Sequence, residues 1–142
     1  MKPYYIVQKS WRQASGDIIE IRQKVFVLEQ RFARESICDN KEDKSIHILA
    51  YDNKGKPLGC GRLTETGEIG QIAVIMSARG LGIGSEILSK LITLARKKKL
   101  HIVSLNTETD LLTFYNHRDF IASGPVYMRQ GVPFQQMTRK LA

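Results

Sequence analysis

The amino-acid sequence predicts an α/β fold, a single domain in which helices flank a mixed, twisted central sheet. Three observations support this prediction. The chain of 142 residues has the length of one ordinary domain, so we expect a single domain over residues 1–142. Strand-like apolar segments alternate with helix-like segments along the sequence. A continuous apolar run, residues 72–76, leads directly into a glycine-rich turn and an amphipathic segment, which is typical of a strand, turn and helix that return to a parallel neighbouring strand.

The first two predicted elements are a strand over residues 4–9 and a helix over residues 16–28. The helix is predicted because four apolar residues recur at spacings of three and four: Ile18, Ile21, Val25 and Leu28. Ser15 is a suitable N-cap for this helix, and Asp17 and Glu20 lie near the positive end of its dipole.

A polar, irregular segment, residues 35–44, separates this helix from three predicted strands. Residues 46–51 and 58–63 flank the sequence 52–57, which contains asparagine, glycine and proline, so we expect a β-hairpin. A strand over residues 68–76 follows, and its apolar run suits a central strand that is buried on both faces.

The second half of the chain begins with a helix from residue 83 to residue 99. Six residues form its apolar face: Ile83, Ile87, Leu88, Leu91, Ile92 and Ala95. A strand over residues 101–106, a short helix over 109–118 and closing strands at 120–121 and 134–141 complete the predicted fold.

Composition restricts the classes of protein to which the chain can belong. Hydrophobic residues make up 42% and charged residues 25% of the sequence, which is close to the average for globular domains and argues against a disordered or fibrous protein. The apolar runs are far shorter than the ~20 residues of a membrane-spanning helix. The N-terminus lacks the apolar core of a secretory signal, and Cys38 and Cys60 match no metal-binding or redox spacing. We therefore expect a cytoplasmic protein with no membrane partner.

The positive charge of the chain is unevenly distributed. The 22 basic and 14 acidic side chains give a net charge of +8, and residues 79–99 alone contain six bases and one acid. Such an excess favours an anionic partner, whether nucleic acid, a membrane surface or a phosphorylated small molecule. The basic run at residues 96–99 has no interleaved aromatic residues and lies at a predicted helix end, so a solvated helix terminus explains it better than a nucleic-acid site.

The strongest functional signal is the turn Arg79-Gly80-Leu81-Gly82-Ile83-Gly84. Its three glycines allow the backbone to approach a ligand closely, and the start of the following helix presents free N–H groups and a positive dipole end. Phosphate or pyrophosphate is the natural ligand, and the alternative is a turn whose glycines only relieve packing. A P-loop requires Lys-Ser/Thr after its last glycine, whereas Ser85 and Glu86 follow here. A GxGxxG dinucleotide motif fails as well, because its third glycine falls on Ser85 or Ile87.

This turn resembles the signature Arg/Gln-x-x-Gly-x-Gly/Ala of the GNAT superfamily of acetyl-CoA-dependent N-acetyltransferases. Residues 114–120 resemble the second motif of that superfamily, and residues 71–74 resemble its fourth strand. Residues 21–30, His47 and the segment 131–137 are similar to its small ElaA-like bacterial branch. Three residues depart from the pattern, since Glu108, Asp119 and Phe134 stand where Asn or Gln, Gly, and His are common.

The resemblance implies an acyltransferase in which a primary amine attacks the thioester of acetyl-CoA directly, in a ternary complex and without a covalent enzyme intermediate. Tyr115 would protonate the departing thiolate, and His47, Glu29 and Glu108 are the candidate bases. The implied co-substrate is acetyl-CoA, no metal is implied, and the backbone N–H of Val74 can stabilise the oxyanion. The implied binding residues are Ile72, Ala73, Val74, Arg79, Gly80, Leu81, Gly82, Ile83, Gly84 and Ser85.

Several alternatives stay open at this point. The acceptor is a small-molecule amine or a protein amine, and homodimers are common among such small acetyltransferases. The chain could instead be a non-catalytic module that binds acetyl-CoA or a nucleotide, or a nucleic-acid binder that uses the basic surface. For the single residues, Tyr115 is alternatively a core aromatic, Arg79 a solvated arginine and His47 a partly buried strand histidine.

Overall fold

Two antiparallel sheets of four strands each form the centre of the fold within residues 2–141, the part of the chain that the computed structural model describes. The first sheet consists of β1 (Tyr4–Lys9), β2 (Ile46–Asp52), β3 (Pro57–Leu63) and β4 (Ile69–Val74), paired in that order. In the second sheet, β8 (Val132–Lys140) pairs with β5 (Ile102–Glu108), β6 (Ile121–Ala122) and β7 (Tyr127–Arg129). The same residues form the helices α1 (Trp11–Arg22), α2 (Ile83–Lys97) and α3 (Leu112–Asn116), none of which is long and apolar enough to cross a membrane. The predicted α/β fold is confirmed.

The two sheets meet where β4 and β5 run side by side. Glu68 and Ser104 form a parallel bridge, in which the Ser104 N–H donates to the carbonyl oxygen of Gly67 at 3.0 Å. Within residues 2–141 this is the one β-bridge that joins the sheets, so the strands part beyond it towards Val74 and Glu108. The bridge confirms the predicted parallel unit of β4, α2 and β5, and it leaves a gap between the C-terminal ends of the two strands.

The first helix begins at Trp11 rather than at Gly16. Ser10 is its N-cap: the Ser10 hydroxyl accepts from the Gln13 N–H at 3.2 Å, and the Gln13 side chain accepts from the Ser10 N–H at 3.0 Å. The prediction of Ser15 as N-cap is therefore wrong. This reciprocal capping box satisfies two backbone donors, whereas a single serine satisfies one.

The second half of the predicted first helix is a π-helix, Gln23–Glu29. Hydrogen bonds in a π-helix link residues five apart rather than four. Apolar residues at spacings of three and four therefore do not stay on one face of a π-helix, and the last of them turns away from the core. Leu28 is accordingly 71% exposed, although Ile18, Ile21 and Val25 are buried as predicted. The π-helix ends beside the gap between β4 and β5.

Helix α2 lies close to β3 because β3 carries glycine at their contact. A Cβ atom on Gly61 would lie 2.6 Å from Ile87 Cγ2 and 3.1 Å from Leu91 Cδ1, which is shorter than any favourable carbon–carbon contact. All six apolar residues predicted for this helix are buried. Glycine at position 61 thus sets the depth of α2, and with it the position of the helix N-terminus beside the end of β4.

A β-hairpin near the C-terminus has no counterpart among the predicted elements. Strands β7 and β8 are joined by Gln130 and Gly131, whose φ angles of 49° and 82° are the two positive values of a type I′ turn. Strand β8 therefore begins at Val132, ahead of the predicted start at residue 134. The predicted short helix at 109–118 is a 3₁₀ turn, Thr109–Leu111, followed by α3.

Candidate active site

The gap between β4 and β5 opens into two cavities that share part of their lining. The first, called here the α2-side cavity, has a volume of about 500 Å³, and its lining includes Val74, Arg79, Gly84, Leu88 and Phe114. The second, the hairpin-side cavity, has a volume of about 260 Å³, and its lining includes Phe32, Arg62, Gln71, Arg129 and Phe134. Five residues line both cavities: Gln30, Ile72, Glu108, Leu111 and Tyr115. Two ligands that enter from the two cavities therefore meet at these residues.

A β-bulge interrupts β4 in the middle of the gap. The pairing of β4 with β3 shifts between the pairs Cys60–Ala73 and Arg62–Gly70, which leaves one extra residue on β4. Gln71, at the bulge, adopts the left-handed conformation with a φ of 55°. Bulges of this kind bend a strand and redirect its backbone groups, and they are frequent beside active sites.

The backbone of Val74 points from β4 into the gap. The N–H of Ile75 donates to the carbonyl oxygen of Leu58 on β3 at 2.9 Å. Because successive backbone groups of a strand point to opposite sides, the N–H and C=O of Val74 point away from β3 and towards β5. This N–H is thus oriented as a main-chain donor to a ligand held between the two strands.

The glycine turn presents an open backbone surface at the start of α2. Gly80 and Gly82 have φ angles of 84° and 86°, and a Cβ atom on either would have no neighbour within 4 Å. Glycine is therefore not needed at these positions for packing. It is needed for the left-handed backbone conformation, which residues with a side chain rarely adopt. Gly82 is the N-cap of α2 and contributes no side chain to it, so the first N–H groups of the helix face outward with its positive dipole end.

Arg79 links this turn to β4 and to the end of the π-helix. Its Nε donates to the carbonyl oxygen of Val74 at 3.1 Å, and its two terminal nitrogens donate to the carboxylate of Glu29 at 2.6 and 2.7 Å. The hydrogen bonds from Arg79 hold the pKa of the Glu29 carboxyl below its usual range. Glu29 lines the α2-side cavity as the partner of a guanidinium. The Arg79 side chain is 41% exposed, and these contacts within the chain orient it.

Tyr115 lies at the junction of the two cavities. Its ring makes edge contacts with Phe114 and Phe120, at centroid distances of 5.0 and 5.8 Å. Burial raises the pKa of the Tyr115 hydroxyl, and the positive charge of Arg118 offsets part of that shift. The hydroxyl is therefore protonated at neutral pH, which is the state that a proton donor requires.

Arg118 belongs to the same region; it lies within the segment 114–120 that resembles the second motif, but the sequence predicted no role for it. Its guanidinium lies 3.6 Å from the centre of the Phe114 ring, and it donates to the hydroxyl of Ser85 at 2.9 Å. Ser85 is in the first turn of α2, so Arg118 places a positive charge beside the glycine turn. This contact joins two segments more than thirty residues apart, and local sequence pattern carries no signal for it.

His47, a predicted catalytic residue, lies outside both cavities. It is 1% exposed, its Nε2 donates to the carbonyl oxygen of Glu42 at 2.9 Å, and its ring packs against Trp11. Burial lowers the pKa of His47 below its usual value, although the hydrogen bond to Glu42 opposes the shift. A neutral, enclosed imidazole cannot reach the junction of the cavities, so His47 takes no part in the mechanism proposed below.

His47 borders a buried network of ion pairs that the sequence pattern does not reveal. The carboxylate of Glu42 accepts from Arg22 at 2.7 and 3.2 Å and lies 3.1 Å from a terminal nitrogen of Arg62. Arg62 also donates to both carboxylate oxygens of Asp39, at 2.7 and 3.0 Å. Arg62 lines the hairpin-side cavity, so this network holds one of the side chains in the wall of that cavity.

The three departures from the family pattern occupy different environments. Asp119 has a φ of 67°, a left-handed conformation that Asp tolerates better than most residues. Phe134 is buried against Phe32 and Tyr127, at ring distances of 6.1 and 6.2 Å. Glu108 ends β5 and lines both cavities, so its carboxylate belongs to the junction with Tyr115.

Comparison with known proteins establishes the family. A family model described as an acetyltransferase (GNAT) domain matches residues 15–141. The chain belongs to the GNAT family. A curated relative, the uncharacterized N-acetyltransferase YjcF of Bacillus subtilis (strain 168), is 32% identical over 127 residues, which are 87% of this chain and 90% of YjcF. The resemblance stated from the glycine turn and the Tyr115 segment is thereby confirmed, and this GNAT protein is an acyltransferase.

Solved structures agree with this assignment. Escherichia coli ElaA has a TM-score of 0.80 at 26% identity, with 98% of this chain and 99% of ElaA covered. An acyl-CoA N-acyltransferase from Pseudomonas aeruginosa has a TM-score of 0.84 at 24% identity, with 96% of this chain and 99% of that chain covered, which is a likeness of fold. The predicted similarity to the ElaA-like branch agrees with the first of these matches.

The GNAT family uses acetyl-CoA or another acyl-CoA as co-substrate, and the residues present fit such a molecule. The open space at Gly80 and Gly82 and the outward N–H groups of α2 fit a pyrophosphate. The α2-side cavity continues from Gly84 to Tyr115 along the exposed edge of β4. Within residues 2–141 no group of three or more His, Cys, Asp or Glu side chains could hold a metal ion.

Proposed function

We propose that this GNAT enzyme transfers an acetyl group from acetyl-CoA to a primary amine by direct attack in a ternary complex. The observation that supports this proposal is the junction of two cavities at Glu108 and Tyr115. Direct transfer requires both substrates to be bound at once with their reacting groups in contact. Two separate cavities with one shared wall meet that requirement.

The α2-side cavity is the proposed site of the co-substrate. Acetyl-CoA supplies the acetyl group as a thioester. Main-chain N–H groups of the turn and of the first turn of α2 bind the pyrophosphate, and the free edge of β4 holds the pantetheine as an added strand would be held. The N–H of Val74 donates to the acetyl carbonyl oxygen, where negative charge develops during transfer. The binding residues proposed are Ile72, Ala73, Val74, Arg79, Gly80, Leu81, Gly82, Ile83, Gly84 and Ser85.

Arg79 has a positioning role in this arrangement. Its Nε donates a hydrogen bond to the carbonyl oxygen of Val74, and this bond orients the peptide unit at the end of β4. Its ion pair with Glu29 ties that peptide unit to the π-helix that borders both cavities. The orientation of the Val74 backbone towards the gap therefore depends on Arg79 as well as on the strand itself.

Tyr115 is the proposed proton donor to the leaving thiolate. Reference pKa values of ~10 for Tyr and ~8.5 for a thiol differ by about 1.5 units, which corresponds to about 2 kcal/mol. A buried site disfavours both anions, so the barrier to proton transfer stays small while the hydroxyl stays protonated before the reaction. Tyr115 therefore protonates the thiolate as it departs.

Glu108 is the proposed acceptor of the proton that the substrate ammonium must lose before it attacks as a free amine. Its carboxylate lines both cavities at the C-terminal end of β5, and a carboxylate also attracts a cationic amine to the junction. Proton transfer can proceed directly or through one water molecule. Glu108 replaces His47 in this role because His47 is enclosed in the core.

The test is the substitution Tyr115→Phe with Tyr5→Phe as control, because Tyr5 is an exposed tyrosine that stacks on Tyr51 and lines neither cavity. Release of CoA from acetyl-CoA is measured with a panel of amines. We expect Tyr115→Phe to lower kcat about 10²-fold or more with an unchanged Kd for acetyl-CoA, and Tyr5→Phe to behave as wild type. Equal turnover in Tyr115→Phe and wild type removes the proton-donor role.

The alternative is a non-catalytic module that binds acetyl-CoA. It predicts thermal stabilisation by acetyl-CoA and by CoA but no CoA release with any amine. A salt-dependent affinity for DNA or RNA would instead support a nucleic-acid binder. The presence of both Glu108 and Tyr115 at the junction favours the enzyme over these two functions.

A further inference from the structure

The hairpin-side cavity is lined by four charged side chains, of which two have ion-pair partners within the chain. Arg62 is paired with Asp39 and Glu42 in the buried network. Glu68 lies 3.5 Å from the ammonium of Lys41. Arg62 and Glu68 thus each have an ion-pair partner within the chain.

The other two charges, Glu108 and Arg129, have no ion-pair partner within 4 Å among residues 2–141. Both line the hairpin-side cavity, but only Glu108 also lines the α2-side cavity. A carboxylate therefore lies where the two cavities meet, and a guanidinium lies in the part of the cavity away from that junction. The cavity carries one negative and one positive charge at separate positions.

The sheet register fixes the relative positions of these two charges. Glu108 is opposite Phe134, Phe134 is opposite Tyr127, and Arg129 follows two residues after Tyr127. Directly opposed residues and residues two apart share one face of a sheet, so Glu108 and Arg129 are on the same face. Two strand spacings of about 4.8 Å and two residues of about 3.3 Å each separate their Cα atoms by about 12 Å.

Arg129 is held in place by neighbours that do not neutralise it. The guanidinium carbon lies 5.1 Å from the ring centre of Phe32 and 5.4 Å from that of Phe134. The hairpin that carries Arg129 is itself attached to the body of the domain, because the side chain of Gln130 accepts from the N–H of Ala33 at 2.7 Å. A guanidinium fixed against aromatic rings keeps N–H donors for a carboxylate, which it can bind in bidentate fashion.

We propose that the acceptor of this enzyme is an amino acid, a primary amine that also carries a carboxylate. This inference rests on the proposed function, since it assumes that the hairpin-side cavity holds the acceptor. Arg129 binds the carboxylate, and the amine is directed towards Glu108 and Tyr115 at the junction. Arg129 thus determines specificity, and Phe134, which departs from the family pattern, supports its guanidinium.

The test measures binding separately from turnover. Pairs of an amino acid and its amide (glycine and glycinamide, 4-aminobutyrate and 4-aminobutanamide, 6-aminohexanoate and 6-aminohexanamide) are titrated by calorimetry into the enzyme saturated with CoA, which cannot react. The pairs differ in the charge of one end and span a range of lengths. The variants are Arg129→Gln and Arg129→Lys, with Arg12→Gln as the matched control, because Arg12 is an exposed arginine that lines neither cavity.

We expect at least one amino acid to bind tenfold or more tightly than its amide. Arg129→Gln should abolish that preference, Arg129→Lys should retain part of it, and Arg12→Gln should leave it unchanged. Equal affinity for acid and amide in every pair, no binding of any pair, or a preference that survives in Arg129→Gln would overturn the inference. If amines other than the amino acid that binds yield CoA release from acetyl-CoA but that amino acid does not, the inference fails while the proposed function stands. If no amine yields CoA release although the carboxylate preference depends on Arg129, the proposed function fails while the carboxylate site stands.

Discussion

Replacing Glu42 with Gln should lower the free energy of unfolding by about 3–5 kcal/mol, the usual effect of removing one partner from a buried ion pair. The side chains of Glu42, Arg22 and Arg62 are only 4%, 1% and 7% exposed. The Glu42 carboxylate hydrogen-bonds to Arg22 and contacts Arg62. Glutamine keeps the shape of the side chain but leaves two guanidinium groups in the core with one fewer negative charge. The NH₂ group of the glutamine side chain would also face the N–H donors of Arg22 or Arg62, and two donors cannot form a hydrogen bond with each other.

The matched control is Asp39→Asn, which removes a carboxylate from the same network. The Asp39 side chain is 40% exposed, so water screens its pairing with Arg62, and we expect a loss of less than about 1 kcal/mol. Both variants are compared with wild type by urea denaturation, in which a change of midpoint at constant slope reports stability. A loss below about 1 kcal/mol for Glu42→Gln would show that water reaches these groups and would refute the argument from burial.

The sign of the pH dependence follows from the same contacts. Burial raises the pKa of Glu42, but the hydrogen bonds and charges of Arg22 and Arg62 outweigh it and hold the pKa below the ordinary value of 4.5. The unfolded chain therefore binds the proton first as the pH falls. The stability from this carboxylate is complete above about pH 4.5 and is lost at lower pH, and Glu42→Gln should show a weaker dependence in that range.

Two further predictions concern stability. Gly61→Ala should lower the free energy of unfolding by about 1–3 kcal/mol, because the new Cβ would lie 2.6 Å from Ile87 Cγ2. Gly16→Ala should raise the free energy of unfolding by about 0.5–1 kcal/mol, because Gly16 lies in α1 and a Cβ there would have no neighbour within 4 Å. Thermal unfolding of both variants distinguishes the two signs. For His47, whose pKa is lowered by burial from 6.5, the unfolded state takes up the proton first, so wild-type stability should fall by about 1.4 kcal/mol per unit as the pH drops below 6.5 towards the folded pKa. His47→Gln should remove that slope in urea titrations at pH 7.5, 6.5 and 5.5, and a slope that persists would assign it to other groups.

Local sequence pattern predicted those elements whose signal lies within a few residues. The strand Tyr4–Lys9 and the helix Ile83–Lys97 match the structure because their apolar periodicity spans the whole element. The predicted start of the first helix was wrong because Ser10 and Ser15 are both residues that can cap a helix. Only Ser10 has a glutamine three residues later, which completes a capping box. The π-helix Gln23–Glu29 could not be predicted, since it is a shift in hydrogen bonding within a sequence that also suits an α-helix.

The two halves of the candidate site also differ in how far local sequence pattern predicts them. The proposed co-substrate side consists of backbone groups whose conformation depends on a few glycines, such as Gly80 and Gly82, and a short motif identifies it. The proposed acceptor side depends on side chains brought together by long-range packing. Arg129 reaches Phe32 across nearly one hundred residues, and no local pattern predicts this contact.

This division explains how the chain can depart from its family at Phe134 and Glu108 and still fit an acetyltransferase. A main-chain site tolerates changes of side chain, because its donors are present in every residue. Its requirements are the left-handed angles of the turn and the orientation of the Val74 peptide, and neither involves the departing residues. Changes at positions 108 and 134 instead alter the charge and the aromatic wall of the hairpin-side cavity, which is the proposed acceptor site. We therefore expect them to affect the choice of acceptor, and Glu108 also the proposed proton transfer, rather than the binding of acetyl-CoA.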